Sequence, residues 1–285
     1  MECIADVRAT LGEGPIWVER EQALYWVDIP EKKLFRWSEV DGVRVTEPGV
    51  HVCSILPRAK GGFIGGGYDG FLEIDLEGGS FRVIGDPETE LESNRFNDGK
   101  VDREGRFWAG TMDRFEQQDS GSLYRLDPGL YWTKVDSGYR VTNGPAFSLD
   151  GRTMYHTDSA RQRVYAFDLA TDGNASNRRT FLQFGERDGY PDGMTIDAEN
   201  CVWIAFWGGW CVRRFSSTGE RLQEIAVPAQ LVTSCAFGGP NMDRLFITTA
   251  SRDLSPEELD GQPQAGGLFV TVPGVRGVPE PLFAG

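Results

Sequence analysis

Residues 142–169 read TNGPAFSLDGRTMYHTDSARQRVYAFDL. A polar-headed run, TNGPAFS (142–148), leads through the turn-rich joint LDGR into TMYHTDS (153–159), and RVYAFDL (163–169) follows. Short apolar runs separated by glycine- and aspartate-bearing joints read as strands connected by hairpins. A weaker run, RTFLQF (179–184), closes the unit as a fourth strand.

The same grammar recurs along the chain. TMYHTDS belongs to a series with LYWVDI (24–29), GFIGGG (62–67), RFWAGTM (106–112), CVWIAFW (201–207) and RLFITTA (244–250). RVYAFDL belongs to another, with KLFRW (33–37), GFLEIDL (70–76), GSLYRLD (121–127), CVRRFSS (211–217) and GGLFVTV (266–272). Ahead of each pair stands a strand headed by Glu13, Ser54, Asn97, Asn143, Asp192 or Ser234, spaced 41, 43, 46, 49 and 42 residues apart. Four strands repeated six times at this period predict an all-β fold, a six-bladed β-propeller with four antiparallel strands per blade. A pair of β-sandwiches would leave the regular spacing unexplained. All 285 residues are expected to form one domain. The N-terminal ECIADVRA and the C-terminal VPEPLFAG are expected to meet in the last blade and close the ring, protecting the sheet edges.

Composition fits a globular chain: 40% hydrophobic residues and 36 glycines, with no linker or low-complexity stretch. The 43 acidic against 29 basic side chains give a formal charge of −14. Such a field repels nucleic acid and anionic membrane and attracts cations, so neither is expected as a partner. The N-terminus lacks a basic segment followed by an apolar one, and no apolar run reaches membrane length. Cys3, Cys53, Cys201, Cys211 and Cys235 form no CxxC pair and read as free thiols of a cytoplasmic protein.

In a propeller the first strands of the blades line one channel, so equivalent repeat positions become neighbours. Glu13, Asn97, Asn143 and Asp192 hold such positions and are expected to ring one mouth. Taken singly, NDG (97–99) and PDG (191–193) read as ordinary turns. Converging, two carboxylates and two amides are costly unless hydrogen bonds or a cation satisfy them. Their oxygens suit hard divalent cations. The two histidines, His51 and His156, lie at no strand start and read as ordinary strand or loop residues.

The segments GEGPIW (12–17), RFNDGKVDREGRFWAGTM (95–112), TNGPAFSLDGRTMYHTDS (142–159) and PDGMTIDAENCVWIAFWGG (191–209), read together, resemble the gluconolactonase, regucalcin and luciferin-regenerating enzyme family over essentially the whole chain. The resemblance implies one divalent metal ion (Ca²⁺, Mn²⁺, Mg²⁺, Zn²⁺ or Fe²⁺) and hydrolysis of a sugar lactone to its aldonic acid. Xylono-, arabinono- and gluconolactone are the substrates it suggests. It also implies Glu13, Asn143 and Asp192 as metal ligands, and Arg95 and Asn97 as substrate contacts. Asp192 is the expected general base, with Glu13 able to do the same chemistry. Where the family carries an acidic substrate contact after GTM, this chain reads MDRFEQQD. Phe115 falls at that position, and Asp113 or Glu116 stands as its substitute. A broader metal-dependent esterase or phosphotriesterase and a non-catalytic calcium-binding propeller are the alternatives. A monomer acting on a small molecule is expected.

Overall fold

The computed structural model describes residues 1–285. The chain is almost entirely β. After β1 (Glu2–Ala5) come β2 (Gly12–Val18), β3 (Ala23–Asp28), β4 (Lys33–Ser38) and β5 (Gly42–Thr46). Next are β6 (Val52–Pro57), β7 (Phe63–Gly67), β8 (Gly70–Asp75) and β9 (Ser80–Gly85). β10 (Asn94–Val101), β11 (Phe107–Asp113), β12 (Gly121–Leu126) and β13 (Trp132–Tyr139) follow. Then come β14 (Thr142–Phe147), β15 (Thr153–Asp158), β16 (Arg163–Leu169) and β17 (Ala175–Gln183). The chain continues with β18 (Tyr190–Ile196), β19 (Val202–Trp207), β20 (Cys211–Phe215) and β21 (Arg221–Ala226). It ends with β22 (Leu231–Gly238), β23 (Arg244–Ala250) and β24 (Leu268–Thr271). The one α-helix, α1 (Pro256–Gly261), is a single capped turn and a half, and no helix is long and apolar enough to cross a membrane.

The all-β propeller class stands, but the six four-stranded blades do not. The sheets β2–β5, β6–β9, β10–β13 and β14–β17 each hold four antiparallel strands. The remaining eight strands form one sheet, ordered β1-β24-β23-β22-β19-β20-β21 with β18 beside β19. The cause is local: Trp207, the last residue of β19, pairs with Leu231, the first of β22. That bridge fuses two four-strand units into one hydrogen-bonded sheet, giving four four-stranded blades and an eight-stranded sheet. The predicted closure is also corrected. β1 pairs with β24, yet VPEPLFAG does not join it. Its Phe283 instead forms a parallel bridge with Arg58, and the Ala284 amide donates to the Gly105 carbonyl at 3.0 Å. Pro279 and Pro281 remove two backbone donors from this tail, which suits isolated bridges better than a ladder.

Two compact units share the chain: residues 1–47 with 184–279, and residues 48–183 with 280–285. The first contains β1–β5 and β18–β24, the second β6–β17 and the C-terminal tail. Each has an aromatic core. Trp17, Trp26, Trp37 and Trp203 are buried in the first and Trp108 in the second, as blade packing requires.

Aspartates fasten the hairpins. In the second unit, Asp102 Oδ2 accepts from Arg106 Nε (2.6 Å) and Trp108 Nε1 (2.7 Å). In the first, Asp197 Oδ2 accepts from Trp203 Nε1 (2.8 Å) and Arg214 Nε (2.7 Å). Each buried carboxylate thereby satisfies a buried indole and a guanidinium while its other oxygen caps the turn.

Six strands carry the same irregularity. The first strand of every four-strand unit (β2, β6, β10, β14, β18 and β22) slips register at the polar residue that heads it or beside it. Such a bulge inserts an extra residue, bends the strand and re-aims its side chains. Bulges thus mark the positions that the sequence period had aligned.

His156, on β15 opposite the β14 bulge, is fully buried with its ring edge-on to Tyr139 at 4.8 Å. Burial, with the Arg178 charge adding, pushes its pKa from 6.5 down to about 3. Between those limits the unfolded chain binds the extra proton, so stability falls as pH drops from 6.5 toward 3. The loss is about 1.4 kcal/mol for each pH unit. His156→Phe keeps the ring and should remove that slope between pH 6 and pH 4 in urea unfolding. Identical slopes in both proteins would contradict this assignment.

Candidate functional site

In the second unit the site is built from β10 and β14, which pack side by side. The β10 bulge spans Asn97 and Asp98, and the β14 bulge begins at Asn143. A directed chain of hydrogen bonds connects them. Arg95 Nη1 donates to Asn97 Oδ1 (2.5 Å), Asn97 Nδ2 to Asn143 Oδ1 (3.0 Å), and Asn143 Nδ2 to Ser159 Oγ (2.9 Å). Asn97 Nδ2 also donates to the Thr142 carbonyl at 2.7 Å. Each link fixes the next amide's orientation, because an amide turned end for end would face donor to donor. Arg95, Asn97 and Asn143, three of the residues expected at the site, are therefore brought together.

Asp98 holds both bulges. Its Oδ1 accepts from the Gly99 amide (2.7 Å) and its Oδ2 from the Gly144 amide (2.9 Å). Burial pushes its pKa up to about 6, against the Lys100 charge and these two hydrogen bonds, which pull it down. Lys100 is itself buried and pairs with Glu280 of the C-terminal tail at 3.6 Å. Sequence reading passed over Asp98 because NDG is ordinary turn chemistry. The available signal was its place beside Asn97 at a repeat position.

In the first unit, Glu13 lies on β2 and Asp192 on β18, both buried and both at bulges. Glu13 Oε2 accepts from the Gly14 amide at 3.1 Å. β22 packs against both strands. Its Thr233 Oγ1 donates to the Gly12 carbonyl at 2.5 Å, and Ser234 sits against Gly193. A Cβ on Gly193 would lie 2.1 Å from Ser234 Oγ, so the glycine after Asp192 is what lets these strands approach.

The substitutes for the family's acidic contact are placed otherwise. Asp113 is buried and accepts from the Gln117 (2.9 Å), Gln118 (3.2 Å) and Phe115 (3.4 Å) amides. Burial opposes the charge, but these bonds and one from Ser93 hold its pKa below the ordinary carboxylate range. It is fully used in shaping its own loop. Glu116 is exposed with φ 58°, and Phe115 is 61% exposed.

Glu13 and Asp192 offer carboxylate oxygens and Asn143 an amide oxygen, of which Asn97 takes one lone pair. Carboxylate and amide oxygens are the donor types that a hard divalent cation takes. No group of three or more His, Cys, Asp and Glu side chains is placed to hold a metal. All five cysteines are free.

The family model described as SMP-30/Gluconolactonase/LRE-like region matches residues 11–251, and the chain belongs to that family. Regucalcin of Macaca fascicularis is 37% identical over 297 residues, spanning 100% of this chain and 98% of that protein. A solved luciferin-regenerating enzyme aligns with TM-score 0.93 at 32% identity, covering 99% of this chain and 98% of its own. A calcium-binding protein, regucalcin from Agrobacterium tumefaciens, aligns with TM-score 0.93 at 28% identity, covering 99% and 96%. The family includes gluconolactonases, which supports a lactonase-type function.

Asp98→Ala removes the acceptor of two buried amides and a negative charge that the Lys100 charge favours. It should lower unfolding free energy by about 3 kcal/mol, measured by urea denaturation at pH 7.5. A loss below about 1 kcal/mol would show that the bulges hold without it.

Proposed function

We propose that the protein hydrolyses sugar lactones to aldonic acids, with a divalent cation held by Glu13, Asn143 and Asp192. The observation that carries this reading is the family match over residues 11–251. The oxygen-only character of the three side chains supports it. Xylono-, arabinono- and gluconolactone are the proposed substrates. A cation bound there supplies Lewis acidity toward the lactone carbonyl.

The protein's own groups do the rest. Asp192 takes a proton from water as the water oxygen bonds to the carbonyl carbon. The bond from that carbon to the ring oxygen breaks, and the proton passes to the departing ring oxygen. Glu13 carries the same chemistry and is the second candidate for the base. Both amide protons of Asn97 are already donated, to Thr142 and Asn143. What it offers a sugar is therefore Oδ1, an acceptor for a hydroxyl. Arg95 donates beside it, and together they orient the ring and lower the entropic part of the barrier.

Three of the five free cysteines are weak nucleophiles. Burial pushes the Cys211 pKa up to about 11 and also raises those of Cys3 and Cys201, leaving little thiolate. The same reading takes the protein as a cytoplasmic monomer acting on a small molecule, with neither nucleic acid nor membrane as partner. Likeness to a calcium-binding regucalcin favours, as the second reading, a calcium-binding protein without turnover.

The test follows acid release from the three lactones after chelation and titration with Ca²⁺, Mg²⁺, Mn²⁺, Zn²⁺ or Fe²⁺, with spontaneous hydrolysis subtracted. Saturable, metal-restored turnover is expected. Asp192→Ala and Glu13→Ala should each lower it at least about 100-fold with unchanged circular dichroism. Calcium binding without turnover on any lactone would favour the second reading instead.

A further inference from the structure

Arg95 is 6% exposed, yet no carboxylate lies in ion-pair range of it and its Nε has no hydrogen-bond partner. Its Nη1 points inward, to the Phe96 carbonyl (2.9 Å), Asn97 Oδ1 and, at 4.0 Å, Cys53 Sγ. A buried guanidinium without a counter-charge is costly, and contact with an aromatic face offsets part of that cost.

The neighbouring hairpin supplies a wall beside it. Val52 pairs with Gly67, so His51, just before β6, and Tyr68, just after β7, emerge at the same end. Their rings stack at 3.9 Å between centroids and 14° between planes. The Arg95 guanidinium carbon lies 5.5 Å from the Tyr68 ring. Both rings are only half-buried, and no protein group takes the Tyr68 hydroxyl in a hydrogen bond. A ring needed only to cover the arginine would work equally well as phenylalanine. A tyrosine hydroxyl and ring beside the arginine and the Asn97 acceptor have the composition of a polyol-binding subsite, an apolar face with convergent polar atoms.

We propose that Tyr68, oriented by its stack on His51, contacts the substrate beside Arg95 and selects for polyhydroxylated lactones over lactones without hydroxyls. The Tyr68 hydroxyl bonds a sugar hydroxyl, and its ring packs on the C–H face of the sugar. His51 is a positioning residue, acting through Tyr68. The inference rests on the lactonase reading for its substrate and on this chain's own residues for its geometry.

Two measurements separate its failure from that of the reading. Steady-state kinetics on gluconolactone and on δ-valerolactone, the ring without hydroxyls, compare the wild type with Tyr68→Phe. The variant should raise KM for gluconolactone about tenfold with kcat within about twofold, and leave δ-valerolactone unchanged. Calorimetric titration with sodium gluconate should show binding weakened by about the same factor in Tyr68→Phe. It should be weakened again in His51→Ala, with both melting temperatures unchanged. Unaltered gluconolactone KM and gluconate affinity, or equal changes for both lactones, would overturn the subsite. A wild type that turns over no lactone yet binds gluconate through Tyr68 would overturn the lactonase reading alone. A wild type that does neither would overturn both.

Discussion

A β-bulge at the polar start of each unit's first strand sets where the polar side chains that head these strands can sit. In a regular strand, side chains alternate strictly, and a polar residue at the start would share its face with apolar neighbours two positions on. The extra residue breaks that alternation at one point. It lets Asn97, Asn143, Glu13 and Asp192 sit on strands whose remaining residues are core. The cost is exposed backbone amides within a buried sheet. Asp98 covers two of them at once, which is why a carboxylate remains in so dry a place.

The hydrogen bonds in the second unit have a direction. They run from Arg95 through Asn97 and Asn143 to Ser159, always donor to acceptor. The chain carries the arginine's positive end toward the amides and leaves one Asn143 lone pair uncommitted. An isolated asparagine can turn its amide end for end, but Asn143 cannot without losing bonds on both sides. Preorganisation of this kind lowers the reorganisation that binding a cation or a sugar would otherwise require. The chain's excess of acid makes Arg95 more conspicuous, since it remains without a carboxylate among 43 acidic residues.

What was legible in the sequence was periodic. Repeated strand pairs and evenly spaced polar heads revealed an all-β fold of four-strand units, because each unit solves the same packing problem with the same pattern. The grouping of units into sheets was not legible. It turns on Trp207 reaching Leu231, a single pairing that leaves no period. The path of the tail was misjudged because VPEPLFAG has strand-like length, while its two prolines argue against a ladder. Asn97 and Asn143 stood out because they fall at repeat positions, whereas Arg95 entered only through the family resemblance. Asp98 was hidden in a dipeptide that also makes turns. His51 and Tyr68 were hidden because their meeting with Arg95 depends on hairpin register, which spacing does not display.

We propose Glu13, Asn143 and Asp192 as the oxygen ligands of one divalent cation, a donor set of two carboxylates and an amide. Anomalous scattering from crystals grown with Mn²⁺ would locate that cation atom by atom. One strong peak within coordination distance of an oxygen from each of the three side chains is the result expected of that ligand set. No peak there, or a peak held by other residues, would contradict it.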